Sequence, residues 1–446
     1  IIKPLLEYFY DKMPEILPEE ILAKHKFLPT KEAIWQIHFP ESFEAVDAAK
    51  LRFSFENLFL LQLNILRQRA KVLQKTAPQC PMDADVMKKF TDSLPFQLTD
   101  SQRQCAFQIL KDMEKPAPMS RLLEGDVGSG KTVVAAMAAL SAVKNGYQVA
   151  FMAPTEILAS QHFKGLSKML QPFGVRMAYL TSKESFIFKN GKIEEIKKKD
   201  LLLELQFSQI DLLIGTHALI SKKVMFSKLA LVVLDEQHRF GVNQRAELTK
   251  SKTLIPHLLS MTATPIPRTL ALTVYGDLDL SLIKEMPKNR KKIKTIIVNP
   301  SDRKTAYDFI HKEVKDGKGV FVICPKIGEE ENENVKAPVS GSFTPQNYQM
   351  NMLGIGGGEI KTVKQEYEKL SKEIFPDLRI TMLHGKMKSK EKELIMQDFK
   401  KGEIDILVST SVVEVGVDVP RATVMMIEGA ERFGLAQLHQ FRGRVG

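Results

Sequence analysis

Cysteine and tryptophan are scarce in this sequence: three cysteines, Cys80, Cys105 and Cys324, and a single tryptophan among 446 residues. An odd number of widely separated cysteines supports neither a disulfide framework nor a zinc site, and it fits a reducing compartment. No apolar run approaches the roughly 18 residues of a membrane-spanning helix. No basic-then-apolar signal segment opens the chain either, so a cytoplasmic protein with no membrane partner is expected. Acid is in deficit: 53 Asp and Glu stand against 64 Lys and Arg, a formal charge of +11. Such a balance permits a polyanionic partner such as nucleic acid without establishing one.

The length is about three times the ~150-residue prior for one domain, so two or three domains are expected. Residues 1–30 carry four prolines and end in "KFLPTKEAIW", which reads as a connecting segment running into helix. From Glu41 to about Gln74 apolar residues recur at helical spacing with no internal Pro or Gly, predicting a long amphipathic helix whose apolar face packs. From about 90 to 285 short apolar runs, "RLLEG", "QVAFMAP", "DLLIGT", "LALVVLDE" and "HLLSMTAT", alternate with helix-like stretches, the pattern of a parallel sheet covered by helices. A second series begins near 290 with "KTIIVNP", "GVFVICP", "RITMLHG", "IDILVST" and "ATVMMIEG". The predicted class is therefore α/β, with a helical connector over 1–90 and tandem domains over 91–285 and 286–446. "EMPKNRKK" reads as their linker, and the acidic, then Gly-rich stretch 328–358 as a mobile surface loop.

Between a short strand and a helix-forming run lies "GDVGSGKT", residues 125 to 132. Gly125, Gly128 and Gly130, with Asp126, Val127 and Ser129 between them, let backbone amides turn inward around phosphate oxygens at a helix start. Lys131 then reaches the outer phosphates and the Thr132 hydroxyl binds Mg²⁺. The bland reading is a plain Gly-rich turn. About a hundred residues on, the apolar strand "VVLDE" delivers Asp235 and Glu236 to its carboxyl end. In one α/β unit with the phosphate loop, Asp235 suits a second Mg²⁺ contact and Glu236 a base that orients and deprotonates water. Hydrolysis of ATP is the chemistry this pairing predicts.

"FQLTDSQ", "GDVGSGKT", "APTEILASQH", "GTHALI", "DEQHRFGV", "MTATPIPRTLAL", "STSVVEVGVDVP" and "ERFGLAQLHQFRGRVG" follow one another in order. In wording and sequence these stretches resemble the motifs of superfamily 2 helicases, over nearly the whole chain from about residue 30. The resemblance implies two tandem RecA-like domains and an ATP-dependent motor on DNA. It implies that Phe96 and Gln102 meet the adenine and that Gly416 and Asp418 approach the nucleotide from the second domain. Arg444 resembles an arginine finger, with Arg442 beside it, while Thr262 and Thr264 resemble the link from hydrolysis to domain movement. Pro154, Thr155, Gly215, Thr216, Ser409 and Thr410 stand where the family grips one DNA strand through its phosphates, without sequence readout. His238 is open between a histidine hydrogen-bonded near the cleft and a relay to the "TAT" element.

Within the superfamily the wording resembles the bacterial helicases that remodel branched DNA, stalled forks and Holliday junctions. A monomer is expected, with a single-stranded DNA-binding protein as a possible partner. The related translocases that couple transcription to repair typically carry Glu where this chain has Gln237. A rival of another class is a non-catalytic nucleic-acid scaffold with a residual nucleotide pocket. The family's last motif ends in a further arginine after "GRVG", where this sequence stops at Gly446, and its fork-splitting amino-terminal domain has no counterpart here. The chain is thus expected to be a fragment.

Overall fold

The computed structural model describes residues 2–189, 191–221, 223–236, 254–263, 278–286, 293–325, 363–384, 387, 389–410 and 419–445. Five of the predicted strand runs build the middle of one sheet: β1 (Ser120–Gly125), β2 (Gln148–Met152), β6 (Leu212–Gly215), β7 (Leu229–Asp235) and β8 (His257–Thr262). They pair in parallel in the order β6-β2-β7-β8-β1. Buried on both faces, their residues are nearly all apolar, as helix-covered parallel strands require. The helix Lys131–Lys144 is sunk between this sheet and its neighbours, with every residue from Val133 to Ala142 buried. Five alanines in that span keep its girth small; enlarging one would overpack the core at a cost of about 1–3 kcal/mol.

The first sheet is larger than expected and not wholly parallel. Beyond β6 come β3 (Met177–Leu180), β4 (Ser185–Lys189) and β5 (Lys192–Glu195), and β4 and β5 run antiparallel. At the other edge β9 (Asp279–Ile283) adds in parallel to β1. A second sheet of β10 (Gly319–Ile323), β11 (Ile380–Leu383), β12 (Ile406–Ser409) and β13 (Ala422–Ile427) is parallel throughout, in the order β11-β12-β10-β13. One expectation fails there. "KTIIVNP" forms no strand, and Ile296 and Ile297 lie 76% and 90% exposed, with no ladder partner among the described residues.

The long helix runs Phe43–Leu73, with Ser42 capping it by accepting from the Ala45 amide. Its buried residues invert the expectation: Ala49, Arg52 and Glu56 are covered, whereas Leu51, Leu58, Leu61 and Leu66 are exposed. Arg52, wholly buried, donates to Glu15, Glu56, Thr30 and the Leu28 carbonyl, so charge pairing, together with the contact of Phe55 with Phe27, pins the helix to the preceding segment. Near its far end Arg69 pairs with Asp279 of β9 at 2.7 Å. All three cysteines are buried and free, and burial pushes the Cys80 thiol up to about 12. Among the described residues no helix is long and apolar enough to cross a membrane.

Candidate phosphate and nucleic-acid site

Parallel register brings the predicted motifs to one edge of the first sheet. Gly125 ends β1, with Glu124 level with Thr262 of β8; Asp235 of β7 is level with Met261, and Leu234 with Met152 of β2, which is level with Gly215 of β6. The carboxyl ends therefore carry, in a row, the phosphate loop, Thr262, Asp235 and Glu236, then Pro154 and Thr155, then Gly215 and Thr216. Open α/β sheets bind ligands at this edge.

In the loop itself Gly128 and Gly130 hold φ of +78° and +86°, values that favour glycine. Lys131 donates to the carbonyls of Gly125 (2.7 Å) and Asp126 (3.0 Å). Burial pulls its ammonium below the ordinary lysine value; the charges of Asp235, Glu236 and Asp126 oppose this and that of Arg444 adds to it. Four charged groups from three segments thus act on Lys131 at a loop of inward amides, an arrangement suited to a polyphosphate anion. Glu236 lies at φ +54°, a left-handed conformation that costs a non-glycine residue roughly 1–2 kcal/mol. Strain of this kind is held where the surroundings fix a side chain's direction.

Asp235 is buried, and its Oδ2 lies 2.7 Å from His162 Nε2. Burial would raise its carboxyl; the hydrogen bond and charge of His162, the charge of Lys131 and the Glu236 amide outweigh that and hold it below the ordinary carboxylate range. His162 was not among the residues singled out from the sequence. Its signal was the final letter of "APTEILASQH", two helical turns after Thr155.

Gln102 occupies a tighter place than expected. Its Oε1 accepts from the Thr99 amide and its Nε2 donates to the Ser129 carbonyl at 2.7 Å, so its side chain braces the phosphate loop from behind. A Cβ on Gly130 would strike that amide. Phe96, six residues earlier, is exposed. Thr132 is half-buried in the first turn after the loop, and Thr262 is buried at the end of β8. Thr155 caps the helix Glu156–Leu170 by accepting from the Leu158 amide. Gly215 is glycine because a Cβ would collide with the Leu180 carbonyl and the Leu219 side chain. In the second sheet Ser409 is fully buried and donates its hydroxyl to the Thr410 carbonyl, so that hydroxyl does not face outward as expected; Thr410 is 8% exposed.

The second unit reaches the loop through the chain after the helix Leu435–Arg442. Gly443 lies so close to Val127 that a Cβ there would collide with the valine side chain. Arg444, the next residue, is the group whose charge Lys131 feels. Arg442 instead is exposed and donates to the Ile293 carbonyl at 3.2 Å. Gln237, His238, Thr264, Gly416 and Asp418 lie outside the described residues, as do most of the linker and the whole stretch 328–358.

Comparison with known proteins agrees with this arrangement. Residues 99–273 match the DEAD/DEAH box helicase model and residues 358–446 the helicase conserved C-terminal domain. The ATP-dependent DNA helicase RecG of Synechocystis sp. is 45% identical over 98% of this chain and 48% of its own length. RecG of Aquifex aeolicus is 44% identical over 99% of this chain and 52% of its own. A structure of RecG bound to a three-way DNA junction superposes with a TM-score of 0.74 at 38% identity, covering 97% of this chain and 52% of that one. The chain belongs to the RecG family. It spans about half the length of the RecG relatives it matches. The RecG fold of its two sheets is shared more distantly by S. cerevisiae Dbp5, with a TM-score of 0.52 at 17% identity over 83% of this chain and 86% of that one.

Proposed function

We propose that this chain is the motor of an ATP-dependent DNA helicase that remodels branched DNA, forks and Holliday junctions, in the cytoplasm. The observation that carries the reading is the close approach of Gly443 to Val127, which brings Arg444, the next residue, from the second unit to the phosphate loop, where its charge acts on Lys131. An arginine brought to a phosphate loop by a second unit serves to stabilise charge on a transferring phosphoryl group. Roles follow over the proposed domains 91–285 and 286–446. The loop amides and Lys131 hold the phosphates of ATP, with Gln102 bracing the loop and Phe96 open to the adenine. Thr132 and Asp235 offer the hard oxygen donors that Mg²⁺ takes alongside phosphate oxygens and water, so the residues present fit that ion. Bound there, Mg²⁺ would neutralise phosphate charge. Glu236 orients and deprotonates the attacking water, and Gly416, Asp418 and Arg442 complete the cleft from the second domain.

Thr155 and Gly215-Thr216 stand beside the nucleotide residues on the same edge, which suits a grip on one strand through phosphates; Pro154 and Thr410 extend it. Thr262, Thr264 and His238 link that grip to hydrolysis. A junction-bound relative supports branched DNA as the substrate. The reading includes a monomeric motor and a single-stranded DNA-binding protein as partner.

Phosphate release in the presence of forked and linear duplex DNA tests this. Lys131→Ala and Glu236→Gln are expected to lose turnover by about 10²- to 10⁴-fold while retaining DNA binding in a mobility-shift assay. In a chain extended to the full length of its relatives, forks are expected to stimulate turnover more than duplex does. Normal turnover in Glu236→Gln would remove the base assignment, and no ATP hydrolysis at full length would favour a nucleic-acid scaffold.

A further inference from the structure

We infer that His162 is a positioning residue that ties the DNA grip to the carboxylate expected to hold Mg²⁺. The inference deepens the motor reading and rests on it. The helix Glu156–Leu170 starts at Thr155, one of the grip residues, and His162 follows seven positions later on the same helical face. The helix is clamped along its length by buried Ala159, Phe163, Leu166 and Leu170, so a displacement at its first turn is passed to His162 as a rigid shift. The imidazole is itself confined: it is 9% exposed and lies against Phe151 of β2, ring centroids 4.7 Å apart.

An ionised carboxylate only accepts hydrogen bonds, so at 2.7 Å His162 Nε2 donates and Asp235 Oδ2 receives. With Oδ2 committed, the carboxylate cannot rotate without breaking that bond. The direction of its other oxygen is therefore set by the helix that begins at the grip together with the Glu236 amide. Groups hydrogen-bonded to a metal-binding carboxylate or histidine tune metal affinity in this way, with losses of about 10–100-fold on removal. Strand capture at Thr155 and the aim of Asp235 thus share one rigid element.

Gln and Asn at position 162 separate this role from packing. The Gln amide nitrogen reaches about as far as imidazole Nε2, whereas the shorter Asn side chain does not reach Asp235. With the chain extended to the full length of its relatives, binding of a fluorescent ADP is measured by anisotropy with and without Mg²⁺, and turnover with and without forked DNA. His162→Asn is expected to lose about 10-fold or more of the Mg²⁺-dependent tightening of ADP and most of the DNA stimulation, while metal-free ADP binding and melting temperature stay near wild type. His162→Gln is expected to keep both responses. Wild-type responses in His162→Asn would overturn the inference, as would equal loss in both variants, which marks a packing role. A wild-type chain that binds Mg²⁺ and ADP but ignores DNA would instead sink the motor reading, and the relay with it.

Discussion

Gly443 and Glu236 are each held by a constraint that a substitution would expose. Gly443 has ordinary helical dihedrals (φ −68°), so its need for glycine comes from contact: the Val127 side chain occupies the space a Cβ would take. Gly443→Val is therefore expected to push the second unit off the phosphate loop without unfolding either sheet. Misplacing Arg444 by an ångström or so would lower turnover on the order of 100-fold. Steady-state phosphate release at an unchanged melting temperature checks this, and turnover near wild type would show that the contact is not needed. The phosphate loop and the Asp235-Glu236 pair were legible in the sequence because their chemistry is written in consecutive residues. The His162 contact was not, because its partner is 73 positions away and only the order of β2 and β7 brings them together. Gln102 was legible as a site residue, but its brace on Ser129 depends on how the loop folds back over the preceding helix.

At the scale of elements, local pattern served where a strand had neighbours to meet and failed where it did not. "KTIIVNP" has the composition of a strand and, among the described residues, no ladder; β4 and β5 have a ladder but were masked by the lysines and glutamates of an exposed edge. The connector helix was placed within two residues at its start and one at its end, but its most buried side chain, Arg52, is held by charge, which an apolar periodicity does not reveal. Breaking a buried, multiply paired arginine costs about 3–5 kcal/mol, so Arg52→Ala is expected to loosen residues 15–56 by that order. Hydrogen exchange localises the effect. The pH dependence follows from Glu15. Burial raises its carboxyl, but the Thr30 and Leu17 amides, the Thr30 hydroxyl and Arg52 lower it by more, so its folded value lies below the ordinary 4.5. A depressed acid contributes stability that is complete above 4.5 and lost as pH falls through the folded value. The deficit of Arg52→Ala is therefore expected to shrink below pH 4.5; a deficit constant into acid would assign it to lost packing alone.

Across the whole molecule, units built on the two sheets meet at one loop. The first sheet lines up the phosphate loop, the Asp235-Glu236 pair and the proposed grip residues along a single edge, and the second unit brings Gly443 and Arg444 to the same place. Arg444 joins Lys131 and the acids Asp235, Glu236 and Asp126 at this loop, so phosphates bound there would meet cations from both units. Under the proposed motor reading, nucleotide binding would favour closure and phosphate loss opening. Turnover and nucleotide affinity of Arg444→Ala, measured side by side with forked DNA present, test this most directly. The account predicts a fall in turnover of about 10³-fold or more with ATP affinity changed only a few-fold. Turnover within about twofold of wild type would contradict it.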